Sequence, residues 1–196
     1  MRKWLLLLGS VALIAVVVIG LTSAMGGDDS TDPPDSLADA REELAGAPAP
    51  LAALHEQSNT LIDGGVDAFD QRVAELKGHP IVVNKWASWC APCRVEFPVF
   101  ESIASKRGKE IAFLGINSKD KDEAAKGFLA EQWLPFPSYT DPDDKIGEKL
   151  KAPKYAPITI FIDETGKSVK VHYGTYRSDK QLNDDIDRYL GAPGTS

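Results

Sequence analysis

Apolar positions in the C-terminal two thirds of the chain recur with two alternating periods. Val66, Phe69, Val73 and Leu76 keep helical spacing, with Gly78 as a stop signal and Pro80 beyond it. Ile81-Val82-Val83 then opens a short apolar run to Trp86 that reads as a strand. After it, Phe97, Phe100 and Ala104 fall on one helical face, and Pro98 removes a hydrogen bond to Arg94 and predicts a kink. Residues 110–117, with Ile111, Phe113, Leu114 and Ile116, predict a second buried strand, and residues 120–132 a helix anchored by Phe128 and Leu129. Pro135-Phe136-Pro137 reads as a loop and residues 143–151 as a short helix. Two strands follow, over 158–162 and 169–173, joined at Asp163-Glu164-Thr165-Gly166-Lys167 by a hairpin turn with glycine where positive φ is expected. Ser178 caps a last helix to Leu190, with Leu182 and Ile186 inward, and Gly191 ends it. The order βαβα then ββα predicts an α/β fold, a central mixed sheet with helices on both faces. No internal repeat is visible.

The first half is patterned differently. Met1-Arg2-Lys3 is basic, and residues 4–25 run without a charge, enough for a spanning helix of about 20 residues. Positive charge before this stretch and acid after it place the N-terminus inside and the remainder outside. Thr22-Ser23-Ala24 also fits the cleavage site of a signal peptide, but the apolar stretch exceeds the roughly 7–15 residues usual there, which favours an uncleaved anchor. No cysteine follows it, so a lipoprotein is excluded. On either reading the cysteines face the extracytoplasmic space, and the expected location is the cell membrane, single-pass. Residues 26–50, rich in Asp, Ala, Pro and Gly, read as a flexible acidic linker. The segment 51–65 ahead of the domain reads as a short helix, from Pro50 at its first position to Asn59, and a turn at Asp63-Gly64-Gly65. The domain proper is then 66–190, with a tail over 191–196.

Charge sharpens this division. The net charge is −7, and the stretch from Asp28 to Glu43 holds seven acids against Arg41, a net of −6. The remainder is close to neutral, and no basic patch points to nucleic acid. With 43% hydrophobic residues and 26% charged, a substantial core is expected, in a monomer.

Candidate chemistry concentrates in Asn84-Lys85-Trp86-Ala87-Ser88-Trp89-Cys90-Ala91-Pro92-Cys93-Arg94. Strand, tight loop and helix follow one another here, so Cys90 sits where the loop becomes the helix and Cys93 lies one turn further in. Residues three apart on a helix are neighbours, close enough for the roughly 5.5 Å Cα separation of a disulfide. The helix N-terminus supplies unpaired N–H groups and positive dipole to a thiolate, and Cys-X-X-Cys thiols at helix starts are acidified accordingly. Cys90 is then the attacking thiolate and Cys93 the deeper, resolving thiol. Pro92 fits a first turn that does not need its N–H. The competing reading is half a zinc site. Zinc wants four ligands, whereas the chain has no third cysteine and only His55, His79 and His172, well scattered. No metal and no other cofactor is expected.

Trp-Ala-Ser-Trp-Cys-Ala-Pro-Cys-Arg followed by Glu96-Phe97-Pro98 resembles the TlpA/ResA/CcmG (DsbE)-type membrane-anchored branch of the thioredoxin superfamily, over residues ~66–190. The resemblance implies a thioredoxin-like fold and an extracytoplasmic thiol–disulfide oxidoreductase. It implies a reductant in cytochrome c maturation, acting on protein disulfides such as apocytochrome c and recharged by a CcdA- or DsbD-type membrane protein. It also implies a cis-proline beside the disulfide, matched by Pro157 in Ala156-Pro157-Ile158-Thr159, with the Ala156 backbone pairing with a substrate strand. A trans proline at the strand's first residue is the plainer alternative. Glu96 matches a glutamate that shapes the site in ResA-like proteins, against the reading of a solvated helix acid. Trp89, Ala91, Pro92 and Ala156 are the expected substrate-facing positions.

Two residues depart from the pattern. Asn84 stands where general thioredoxins carry a buried acid. Lys85 stands in a core strand that should be apolar on both faces; it either snorkels from the strand end or pairs with an acid such as Glu96. Electron flow in the oxidising direction, and a metal carrier using the two cysteines, are the competing functions. A peroxiredoxin-type peroxidase would need Pro-X-X-X-Thr-X-X-Cys, which the residues before Cys90 do not supply.

Overall fold

The computed structural model describes residues 33–191. The proposed span over residues 4–25, the first part of the acidic stretch and the last five residues lie outside them. Among the described residues no helix is long and apolar enough to cross a membrane.

Six strands form one sheet: β1 (Leu61–Ile62), β2 (Ile81–Trp86), β3 (Ala112–Ser118), β4 (Ser138–Asp141), β5 (Ile158–Ile162) and β6 (Ser168–Tyr173). Their order is β1-β4-β3-β2-β5-β6, with the first four parallel to one another, β5 antiparallel to β2 and β6 antiparallel to β5. The helices are α1 (Leu37–Glu43), α2 (Ala49–His55), α3 (Gly65–Glu75), α4 (Ala91–Arg107), α5 (Asp122–Glu131), α6 (Lys145–Lys149) and α7 (Asp179–Leu190).

β2 is central and buried at all six positions. Alternate side chains of a strand point to opposite faces, so this one strand serves two cores. Val82 and Trp86 pack with Phe97, Phe100, Phe128, Phe161 and Leu182, under α4, α5 and α7. Ile81 and Val83 pack with Leu54, Phe69, Leu114 and Ile146, under α2, α3 and α6. A mixed sheet covered on both faces is the arrangement that the alternation of periods predicts, and it is a thioredoxin-like α/β fold.

Three readings of the sequence are corrected. The linker over 26–50 is folded in its second half. Ser36 caps α1, accepting from the Asp39 N–H, and Ala40 and Leu44 are buried four residues apart. Acids dominate the composition there, but a two-residue apolar stripe is enough to dock a short helix against α4. Residues 51–65 are likewise part of the domain. Leu51 and Leu54 are fully buried in the second core, and Leu61–Ile62 adds an edge strand to β4. α2 begins at Ala49, one residue earlier than Pro50 suggests, and ends at His55. Finally, β4 is absent from the sequence reading. Its residues Ser-Tyr-Thr-Asp are all buried, so neither alternation nor an apolar run marks it.

The remaining elements differ from expectation by a few residues at their ends. α4 runs on through Pro98 without ending there. The β5–β6 hairpin turns at Gly166, whose φ of 88° is open to glycine at little cost.

Candidate active site

The site is built at the C-terminal end of β2. The chain leaves the strand at Trp86, crosses Ala87-Ser88-Trp89 and enters α4 with Cys90 as N-cap. Cys90 and Cys93 are joined in a disulfide with Cα atoms 5.3 Å apart. The Cys93 N–H is shared between the Cys90 carbonyl at 3.0 Å and the Cys90 Sγ at 3.2 Å, so a first-turn amide of the helix is directed in part at sulfur. Both sulfurs are covered, Cys90 at 3% exposure and Cys93 at 0%. Around them the surface is open: Ala91 and Pro92 are exposed, and Trp89 is 59% exposed. Trp86, Phe97 and Phe128 form the floor, with ring centroids 4.8–5.3 Å apart.

The loop is stapled in place by Asp120, which the sequence reading missed. Its carboxylate accepts from the Ser88 N–H, from Ser88 Oγ at 2.8 Å, from Asn117 Nδ2 at 2.9 Å and from the Lys121 N–H at 2.9 Å. Burial works to raise this carboxyl, but those hydrogen bonds outweigh it and hold it below the usual range. Next to it the Lys119 carbonyl accepts from the Trp89 indole N–H at 2.9 Å. No local spacing marks Asp120; the available signal is its place just past the C-terminal end of β3, where open α/β sheets gather functional loops.

Glu96 lies one turn beyond Cys93 and is fully buried. Its Oε1 accepts from Asn84 Nδ2 at 2.7 Å and its Oε2 from the Tyr176 N–H at 3.3 Å. Burial pushes the Glu96 carboxyl up to about 8, and the two hydrogen bonds oppose this only in part. At neutral pH burial thus favours the protonated form, one helical turn from Cys93. Asn84 therefore takes a working place: the acid that this strand position lacks is delivered from α4 instead. Tyr176 is held in turn, its hydroxyl donating to Asp185 at 2.8 Å while its ring stacks on His172 at 4.2 Å. His172, a strand residue as the sequence suggests, is drawn below its usual range by burial.

Lys85 does not meet Glu96. It is adjacent to Asn84 in a strand and so points to the other face of the sheet. There it is buried to 1% exposure and pairs with Asp144 at 2.5 Å. Snorkelling and pairing with Glu96 are both replaced by this contact.

Pro157 is buried and its bond from Ala156 is cis. Lys85 faces Ile158 across the antiparallel β2–β5 pair; continued, that register sets Ala156-Pro157 beside Trp86-Ala87, at the start of the cysteine loop. Ala156 packs against the cluster that contains both cysteines. Tyr155, just before it, is 53% exposed, so that two bare aromatics, Trp89 and Tyr155, stand at this edge. Among the described residues no group of three His, Cys, Asp or Glu could hold a metal ion.

This geometry agrees with the relatives of the chain. It is 43% identical over 94 residues to the thiol:disulfide interchange protein DsbE of Pseudomonas fluorescens biotype C, covering 47% of this chain and 51% of that one. It is 30% identical over 118 residues to the thiol-disulfide oxidoreductase ResA of Bacillus anthracis, covering 59% and 64%. The chain spans about half the length of the first of these. A secreted disulfide oxidoreductase of Mycobacterium tuberculosis superposes with a TM-score of 0.52 at 25% identity, over 59% of this chain and 85% of that one. A DsbF homologue from Corynebacterium diphtheriae gives 0.53 at 25% identity, over 59% and 75%. The Redoxin family matches residues 44–186, nearly the whole of the folded part and the segment that carries both cysteines, and the chain belongs to that family.

Proposed function

We propose that the chain is an extracytoplasmic thiol–disulfide oxidoreductase that works as a reductant, with Cys90 and Cys93 as its dithiol. The observation that carries this is the closed Cys90–Cys93 pair at a helix N-terminus, with the buried Glu96 one turn further along the same helix. In the reduced protein the Cys90 thiolate attacks one sulfur of a partner disulfide. That bond breaks, a mixed disulfide forms, and the partner's other sulfur leaves and takes a proton. Cys93 then loses its proton and attacks the Cys90 sulfur, releasing the partner's second sulfur as a thiol. Two electrons pass to the partner, and the disulfide seen here is the oxidised product. Glu96 is placed to take the proton from Cys93 when it is ionised, which happens in a fraction of molecules near pH 7 and most above 8.

Trp89, Ala91 and Pro92 on one side and Ala156 on the other are the substrate-facing positions, with Pro157 as the wall between them and the disulfide. The resemblance to CcmG- and ResA-type proteins supports cytochrome c maturation as the setting, with an apocytochrome disulfide as substrate and a CcdA- or DsbD-type membrane protein as electron donor. The uncharged stretch over residues 4–25 supports a membrane anchor that holds the domain on the outer side.

The test is the reduction potential of the Cys90/Cys93 couple, by equilibration with dithiothreitol or glutathione. A value near about −270 mV is expected of a dedicated reductant; one near about −120 mV would make the protein a disulfide donor.

A further inference from the structure

Lys85 and Asp144 are the least expected charges in the molecule, each at 1% exposure. A buried ion pair persists when further hydrogen bonds complete it, and these bonds show what the pair holds. Lys85 Nζ donates to the Pro153 carbonyl at 2.7 Å as well as meeting Asp144. Asp144 accepts from Ser118 Oγ at the end of β3, at 2.7 Å. The turn that carries Asp144 is fixed by Asp141 at the end of β4, whose carboxylate accepts the Ile146 and Gly147 N–H groups at 3.1 and 3.0 Å. Three neighbouring strands thus reach past their C-terminal ends to α6 and the segment beyond it.

That segment runs from Lys151 to Ala156 and ends in the cis-Pro157 bond. Lys151 itself has φ 56°, in the left-handed region. Lys154 and Tyr155 are exposed, and the Pro153 carbonyl is where the stretch is tied down to the sheet. The tie comes from the same strand that, five residues later, delivers Cys90. One ammonium therefore ties the strand that leads to Cys90 to the segment that leads to Ala156.

We propose that Lys85 and Asp144 are positioning residues for substrate binding: acting through the Pro153 carbonyl, they hold Tyr155 and Ala156 in register with Cys90. The inference rests on the oxidoreductase reading above. Lys85 does not touch the cysteines or Glu96, which lie across the sheet, so its loss acts on docking and leaves the redox couple itself untouched.

The test uses the full chain and the double variant Lys85→Met, Asp144→Asn. Lys85→Met alone would strand a carboxylate in the interior; asparagine in place of Asp144 keeps the Ser118 contact and tolerates the left-handed backbone at φ 62°. Reduction of insulin disulfides is followed with dithiothreitol as the electron source. The expected result is a KM for insulin raised on the order of tenfold. The kcat is expected within twofold of the parent's, and the Cys90/Cys93 potential unchanged. Amide hydrogens of Lys154, Tyr155 and Ala156 are expected to exchange faster than in the parent. An unchanged KM in a folded variant overturns the positioning role, as does a shifted potential, which would mean that the pair acts on the cysteines. If the parent chain shows no reversible Cys90/Cys93 couple, the oxidoreductase reading fails instead.

Discussion

Glu96 links the chemistry to stability. A carboxyl whose folded value is raised to about 8 binds its proton more tightly in the native state than in the unfolded one. Its contribution is therefore fully present below the ordinary carboxylate range and is lost as pH rises through about 8. Over that window the oxidised protein is expected to lose stability on the order of 4 kcal/mol. Glu96→Gln, which keeps the shape and the Asn84 contact, should flatten the profile; urea unfolding at pH 5 and pH 8.5 measures the difference. The same variant should slow release from the mixed disulfide, and its rate should lose the inflection near pH 8. A Glu96→Gln profile identical to the parent's would remove Glu96 from proton transfer.

Asp120 acts by holding rather than by reacting. Replacing it with alanine leaves the Ser88 N–H without a partner and frees the Trp89 loop. The expected cost is about 2 kcal/mol in denaturant unfolding, from several charge-assisted hydrogen bonds, with a lower exchange rate. Glu96 was legible in the sequence because it stands three residues from Cys93 on one helix. Asp120 was not, because it reaches Ser88 across 32 residues of chain. Lys85 was legible as an anomaly and illegible as to partner, since Asp144 lies on a loop from a different part of the sheet.

Among elements, most helices and the strands with an apolar run were readable, whereas the two-residue β1, the polar β4 and the acidic α1 were not. β4 carries Tyr139 and three polar residues, and its burial follows from lying between β3 and β1. α2 was read as a helix but not as core. If Leu54 is part of that core, Leu54→Ala should cost about 3 kcal/mol; a loss under about 0.5 kcal/mol would make residues 51–65 an appendage. The same logic applies to α1, where Leu44 is buried among acids.

The molecule as an assembled object adds a place and a polarity. If residues 4–25 anchor it, the full chain should remain in the membrane pellet after a carbonate wash, and a chain starting at residue 33 should appear in the soluble fraction. Recovery of the full chain as a shortened soluble protein would support cleavage instead. Inside the fold, the two faces of β2 divide the labour. One face carries the disulfide, Asn84 and Glu96. The other carries the Lys85–Asp144 pair that braces the groove.

Order along the chain was enough to set the redox motif at the strand-to-helix junction, since a disulfide across one helical turn, the helix end and the thiols are all local. It was enough, too, for the alternation of elements that makes a mixed α/β sheet. Which buried charges meet, which acid holds the cysteine loop and how far the domain extends toward the N-terminus needed three dimensions. Strand alternation sends neighbours such as Asn84 and Lys85 to opposite faces, and the parallel crossovers bring Ser118, Asp141 and Asp144 together from separate segments. Those contacts depend on sheet order and register, which the spacing of residues along one segment does not encode.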